Sequence, residues 1–203
     1  MAHQDNEIIE RVLGGEKRAY AELVDRHKDR AMALATRMLR NRQDAEEALQ
    51  DAFVRAFNAL PRFERKSSFS TWFYRIVFNV CSTSLSRRGD EITKSIDDQD
   101  EEDERRLELP AEDELPDVAL ESKELRQIVS KEIEAMPVVY SAMLTLFLVQ
   151  DLSYDEIVEV TGLPLGTVKV RLFRARELLR TAVARSLDPS QASMKSRKAV
   201  AKL

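Results

Sequence analysis

The chain has little of what staples, bends or metal-binds a protein: one cysteine, two histidines, five glycines and six prolines in 203 residues. A single cysteine excludes an internal disulfide framework and fits a reducing compartment. Cys81 is expected to be a small buried apolar residue. With His3 and His27 the only histidines, neither near the cysteine, no metal-ligand spacing is present, and His27 is expected at the edge of a core. Long apolar runs are also missing. AMLTLFLV (142–149) is too short to cross a bilayer, and MAHQDNEIIERV at the start lacks a basic segment followed by an apolar stretch, so no signal peptide is read and a cytoplasmic protein is expected. No nucleophile–base pair, phosphate-cradling loop or metal motif is present, so the sequence points away from an enzyme and calls for no cofactor or small-molecule substrate. What remains is 33% charged and 43% hydrophobic, the composition of a soluble helical protein.

The formal net charge of −4 argues, as an average, against a nucleic-acid partner, because phosphate binding is driven by Lys and Arg displacing counterions. The average conceals a division. Residues 90–117 hold 14 Asp/Glu against 3 Lys/Arg, so the rest of the chain carries a net +7. Residues 61–89 are +5 and residues 164–203 are +8. Two cationic segments therefore flank one acidic strip.

The apolar periodicity predicts helices on both sides of that strip. Ile8, Ile9, Val12 and Leu13 mark a first helix, stopped by Gly14-Gly15. Tyr20, Leu23, Val24, His27, Ala31, Leu34, Ala35 and Met38 mark a second, from about Lys17 to Leu39. Asp44 is the expected cap of a third, with Leu49, Ala52, Phe53, Ala56 and Leu60 on its apolar face and Pro61 at its end. After the polar loop 62–68 comes a fourth helix over 69–88, capped by Ser68 or Ser70. From 89 to 117 the regularity disappears, and like charges with no apolar stripe predict a disordered linker. A helix over 118–136 follows, and Pro137 starts a nearly all-apolar one. Residues 188–203 read as a flexible basic tail.

The segment 152–180 carries the sharpest signal. Ser153-x-x-Glu156 is a capping box opening a short helix to about Val160. Thr161-Gly162-Leu163 is a turn, with Gly162 suited to a left-handed conformation and Pro164 to the first helical residue beyond it. This is the logic of a helix-turn-helix. On a helical wheel Val168, Leu172, Ala175 and Leu179 point inward. Lys169, Arg176 and Arg180 flank them on one side and Thr167, Arg171 and Arg174 on the other, with Val170 and Phe173 on the outer face. Such a cationic face suits a major groove. The other cationic segment is aromatic: Phe53, Phe57, Phe63, Phe69, Trp72, Phe73, Tyr74 and Phe78 are eight of the chain's 13 aromatics. Phe53, Phe57, Phe73 and Phe78 are expected in the core. Trp72 and Tyr74 stand beside Arg62, Arg65, Lys66 and Arg75, the pairing that an unstacked base on a single strand requires.

On these motifs the chain resembles the bacterial RNA polymerase sigma factors of the small, two-domain extracytoplasmic-function (ECF) class. DAEEALQDAFVRAF (44–57) and FSTWFYRIVFNVCSTSLSRR (69–88) are similar to the family's region 2, and LSYDEIVEVTGLPLGTVKVRLFRAREL (152–178) to its region 4. The resemblance implies an all-α chain of two small helical domains, a region 2 bundle over 1–88 and a region 4 helix-turn-helix over 118–187, joined by the acidic linker. It implies that Glu46, Glu47, Gln50, Asp51 and Arg55 dock on the β′ clamp coiled coil of core RNA polymerase, whose β flap is a second contact. Lys66, Ser67, Ser68, Phe69, Thr71, Trp72, Tyr74, Arg75 and Asn79 would recognise and melt the minus-ten promoter element. Gly166, Thr167, Lys169, Val170, Arg171, Phe173, Arg174 and Arg176 would read the minus-thirty-five element. An anti-sigma factor, free or anchored in a membrane, is implied as the regulator. Val170 stands where many relatives have Ser, and the long acidic linker and basic tail depart from the pattern. The rival from the residues alone is a free-standing helix-turn-helix regulator with an N-terminal dimerisation or sensing module.

Overall fold

A computed structural model describes residues 2–87 and 123–187 of the protein. The expected linker over 89–117, the start of the helix expected from 118, and the tail 188–203 lie outside those residues. The described residues form eight α-helices and no strand. They are α1 (Ala2–Leu13), α2 (Tyr20–Leu39), α3 (Arg42–Ala59), α4 (Phe69–Arg87), α5 (Lys123–Ala135), α6 (Val138–Leu144), α7 (Tyr154–Thr161) and α8 (Leu165–Leu187). Short 3-10 turns at Lys17–Ala19 and Leu60–Arg62 precede α2 and follow α3.

Helices α1 to α4 pack around Ile9, Leu23, Leu34, Leu60, Phe69, Phe73 and Val77, all buried. Their periodicity alone places them there, because each stripe recurs at i, i+3 and i+4. His27 is buried and lies 3.1 Å from the Asp5 carboxylate, which Arg26 pairs on its other oxygen at 2.9 Å. Burial of that charge is tolerated because it is paired on both oxygens. Cys81 is free and fully buried, and burial pushes its thiol up to about 12. Its neighbours are core residues of the same helix, so the expectation of a small apolar role holds.

Several local expectations are corrected. Asn41, not Asp44, caps α3, its side-chain oxygen accepting from the backbone of Gln43 and Asp44 at 2.9 and 3.2 Å. An Asn in extended backbone (φ −136°, ψ 125°) one residue before the helix captures the free N–H groups earlier than Asp44 can. Ser68 caps α4 by accepting from Thr71 N at 3.1 Å. Pro137 and Pro164 stand one residue before α6 and α8 rather than inside them, each offering its carbonyl to the fourth residue on. The apolar stretch after Pro137 is not one α-helix: α6 ends at Leu144 and Thr145–Val149 form a π-helical turn, closed by Gln150 N bonding the Thr145 carbonyl at 3.0 Å.

The two halves are in contact. Helix α7 packs on α4, and α6 with its π-helical turn packs on α2. One apolar cluster runs through both, joining Phe69 and Phe73 to Leu146, Ile157, Val160 and Leu172. A smaller cluster of Ile133, Met136, Leu144 and Ala175 ties α5 and α6 to α8.

Candidate nucleic-acid interface

The helix-turn-helix forms as its sequence dictates. Glu156 N bonds the Ser153 hydroxyl at 3.3 Å while the Glu156 carboxylate accepts from Ser153 N at 2.9 Å, a complete capping box at the start of α7. Gly162 closes α7 at φ 72°, the left-handed conformation that glycine adopts without penalty, and its N–H reaches the Val158 carbonyl at 2.8 Å. Val168 and Leu172 then bury the inner arc of α8.

The outer arc departs from the wheel. Val170 is only 1% exposed and Arg171 only 3%, and no residue from 166 to 176 is fully exposed. A wheel assigns faces from the spacing along one helix and is blind to what packs on the other side. Thr167, Arg171 and Arg174 each engage a partner. Arg176 sits with its guanidinium carbon 4.7 Å from the centre of the Phe147 ring and donates to the Tyr154 hydroxyl at 2.8 Å. Phe147 comes from the π-helical turn and Tyr154 from the start of α7, so Arg176 joins three elements of the C-terminal half.

At the start of α4, the aromatic segment divides. Phe69, Thr71 and Tyr74 are buried. Tyr74, expected beside the cations as a base platform, is only 1% exposed, and burial raises its hydroxyl to about 12 against the opposing pull of Arg30. Helical geometry explains the difference: Tyr74 lies three residues before Val77 and seven before Cys81, on the stripe that faces the core. Phe73 is fully buried and stacks on Phe53 at 4.5 Å, as expected for both, while Phe57 and Phe78 are half-buried against the same core. Trp72 is half-buried against Phe63 (4.9 Å) and Phe69 (5.7 Å). Lys66, Arg75 and Asn79 are exposed, Lys66 pairing with Glu64 at 2.5 Å, and Ser67 and Ser68 are half-buried.

The end of the loop before α4 meets α7, while Glu64, Arg65 and Lys66 stay exposed. The Ser67 hydroxyl donates to Glu159 Oε1 at 2.6 Å, and the Thr71 hydroxyl to Glu156 Oε1 at 2.9 Å. Both acceptors belong to α7. Burial works to raise the Glu156 pKa, but its bonds from Ser153 and Thr71 outweigh this and hold the carboxyl below its ordinary value.

Glu46, Glu47, Gln50 and Arg55 are exposed on one side of α3 with Asp51 half-buried among them, and ion pairs Arg42–Glu46 and Arg55–Asp51, both at 2.9 Å, order the face. An apolar groove between α2 and α3 opens beside it, lined by Tyr20, Val24, Met32, Leu49, Phe53 and Phe57. The sequence reading did not single out this groove. Its one signal was Val54, an apolar residue off the α3 stripe that the structure leaves 54% exposed. Among the described residues no group of His, Cys, Asp and Glu is placed to hold a metal, and no helix is long and apolar enough to cross a membrane.

Residues 23–91 match the family described as Sigma-70 region 2, and residues 126–179 the one described as Sigma-70, region 4. The RNA polymerase sigma-H factor of Pseudomonas aeruginosa is 34% identical over 92% of this chain and 95% of its own length. The ECF RNA polymerase sigma-E factor of Escherichia coli strain K12 is 35% identical, over 86% of this chain and 92% of its own. Among solved structures, that of the sigma factor RpoE from Bartonella quintana, in complex with the anti-sigma factor NepR, shares the fold with a TM-score of 0.58 at 19% identity, covering 81% of this chain and 96% of that one. With both sigma regions in order and relatives of this identity along nearly its whole length, the chain belongs to the ECF RNA polymerase sigma factors.

Proposed function

We propose that the protein binds core RNA polymerase, directs it to a set of promoters and opens them, as a non-catalytic specificity subunit working in the cytoplasm. The observation that carries this reading is the ordered pair of sigma regions along one chain that its curated relatives match nearly end to end. Residues 1–88 act as region 2 and residues 118–187 as region 4. The exposed side of α3, with Glu46, Glu47, Gln50, Asp51 and Arg55, docks on the β′ clamp coiled coil, and the adjoining apolar groove supplies the surface buried in that contact. Region 4 meets the β flap.

For the minus-ten element, Lys66, Arg75 and Asn79 are the exposed polar groups, and Trp72 is the ring at the surface. Ser67, Ser68 and Thr71 offer hydroxyls, while Phe69 and Tyr74 support from below. For the minus-thirty-five element, Gly166, Thr167, Lys169, Arg171, Phe173 and Arg174 lie along α8, and Val170, buried among them, supports that face from within. Arg176 acts through Phe147 and Tyr154 as well as through its charge. An anti-sigma factor regulates the protein by covering these faces; the structural neighbour RpoE was solved in complex with an anti-sigma factor, NepR.

Transcription in vitro with core enzyme on a genomic fragment library tests the reading. Discrete transcripts that appear only when the protein is added are expected, and are lost with Arg171→Ala/Arg174→Ala. Transcripts no different from core enzyme alone would overturn it, and a protein that shifts promoter duplex tightly without polymerase would favour a free-standing regulator.

A further inference from the structure

We infer that Glu10 and Arg65 are positioning residues: their ion pair ties the tip of the loop before α4 to helix α1 and sets the conformation in which that loop meets the minus-ten strand. The inference rests on the assignment of this loop to minus-ten recognition. Arg65 then acts on the strand through the backbone of the loop, and its guanidinium is not a phosphate contact.

The loop is anchored at both ends and lightly held between them. At its start Phe63 N bonds the Leu60 carbonyl at 3.1 Å, and the Phe63 ring lies 4.9 Å from that of Trp72. At its end the Ser68 hydroxyl accepts from Thr71 N and caps α4. Glu64, Arg65 and Lys66 are exposed, and among the described residues the one polar bond from this tip to a helix is that of Arg65 Nη2 to Glu10 Oε1, at 2.5 Å. Arg65 is also the strained residue of the loop, with φ 58°, a left-handed conformation that is unfavourable for any residue with a Cβ. Such a conformation persists where the surroundings hold it. The bond to Glu10 does so here.

The α1 side of the pair is rigid. Ile8, Ile9 and Val12 bury its inner face. Arg11, next to Glu10, pairs with Glu16 at 2.7 Å and Glu22 at 2.9 Å, beyond the Gly14-Gly15 turn. Asp5 is buried against Arg26 and His27, and the His27 ring lies 5.2 Å from that of Phe69, the first residue of α4. Helix α1 therefore bears on the minus-ten segment twice, at the loop tip through Glu10 and beneath the start of α4 through Asp5 and His27. The pair itself is exposed, with 40% of the Arg65 side chain and 63% of the Glu10 side chain open to solvent, so it adds little to global stability. Its effect falls on which conformer of a short loop is populated, a ratio that such a pair shifts by up to about fivefold.

The test compares full-length Glu10→Gln, Arg65→Gln and the exchanged pair Glu10→Arg/Arg65→Glu with the wild type. Discrimination is read as the ratio of open complexes formed with core enzyme on a promoter that the wild type transcribes to those formed on the same promoter with one minus-ten base replaced. Each single substitution is expected to lower this ratio by about threefold at an unchanged melting temperature, and the exchanged pair to restore it to within about twofold of the wild type. Loss in Arg65→Gln without loss in Glu10→Gln would overturn the inference, because Arg65 would then act on DNA directly. An exchanged pair no better than Arg65→Gln, or single variants that discriminate as well as the wild type, would overturn it too. The backbone chemical shifts of Arg65, which need neither polymerase nor DNA, are expected to leave their left-handed values in Glu10→Gln, and shifts that stay put would sink the positioning role by themselves. A wild type that forms no promoter-specific open complexes would remove the sigma-factor reading instead, and leaves the result of the chemical shifts standing.

Discussion

Arg176 shows how one side chain carries a structural role that charge counting cannot reveal. Its guanidinium lies over Phe147 and bonds the Tyr154 hydroxyl, so the same group that adds to the cationic face also braces the helix-turn-helix against the π-helical turn. Truncation loses a half-buried cation–π contact and a hydrogen bond. Arg176→Ala is expected to lower stability by about 1–2 kcal/mol. Tyr154→Phe keeps the ring and loses only the hydroxyl, and is expected to cost about 1 kcal/mol. Urea midpoints of the two variants check this, and an Arg176→Ala protein that unfolds like the wild type would assign Arg176 to DNA contact alone. Tyr74 makes the complementary point. Its neighbours in sequence are cationic, but its spacing to Val77 and Cys81 is that of the buried stripe, and in a helix the spacing decides where a ring goes.

At the scale of the element, α7 and its turn were legible in detail. Ser153, Glu156 and Gly162 act through bonds within a few residues of themselves, so their pattern needs no distant partner to be read. Ser153→Ala is expected to cost about 1 kcal/mol by removing the cap. Gly162→Ala is expected to cost roughly 1–2 kcal/mol from backbone strain, because a Cβ there meets no atom within 4 Å and only the positive φ opposes it. Thermal melting measures both. The Glu156 carboxyl sits below its ordinary value of 4.5, so its bonds stabilise the fold at pH values above 4.5, and that stabilisation is lost as pH falls through the lowered value. Glu156→Gln is expected to flatten the acid limb of a stability–pH profile, and an unchanged slope would show that the carboxylate bonds contribute little. Other elements were less legible. The cap at Asn41 lay one turn earlier than the Asp-x-x-Glu spacing suggested, and the π-helical turn at Thr145–Val149 is invisible in a run of apolar residues. A register that gains one residue per turn leaves no mark on composition.

The relation between the two halves was the least legible feature of the molecule, because an apolar stripe records that a face is buried and not against what. Leu146, Ile157 and Val160 belong to the C-terminal half, yet they share one cluster with Phe69 and Phe73 of the N-terminal one. The charge division into cationic ends and acidic strip marked two modules joined by a linker, and the described residues place the two halves in contact. This has a consequence for unfolding. When two domains share a core, exposing one uncovers apolar surface on the other, and the free energy of that surface couples their transitions. Trp72, the only tryptophan, lies at the start of α4 near the junction, so its fluorescence follows the N-terminal half, while the amide signal follows every helix. In urea the two signals of the wild-type chain are expected to trace one coincident transition. In Ser130→Ala/Gln150→Ala/Glu159→Ala, which removes the polar contacts to Arg37, the Arg30 carbonyl and Ser67 across the junction, they are expected to separate, with a shallower denaturant dependence for each because each step exposes less surface. Wild-type curves that already diverge would mean that the halves fold independently, and that the shared cluster is too weak to hold them closed.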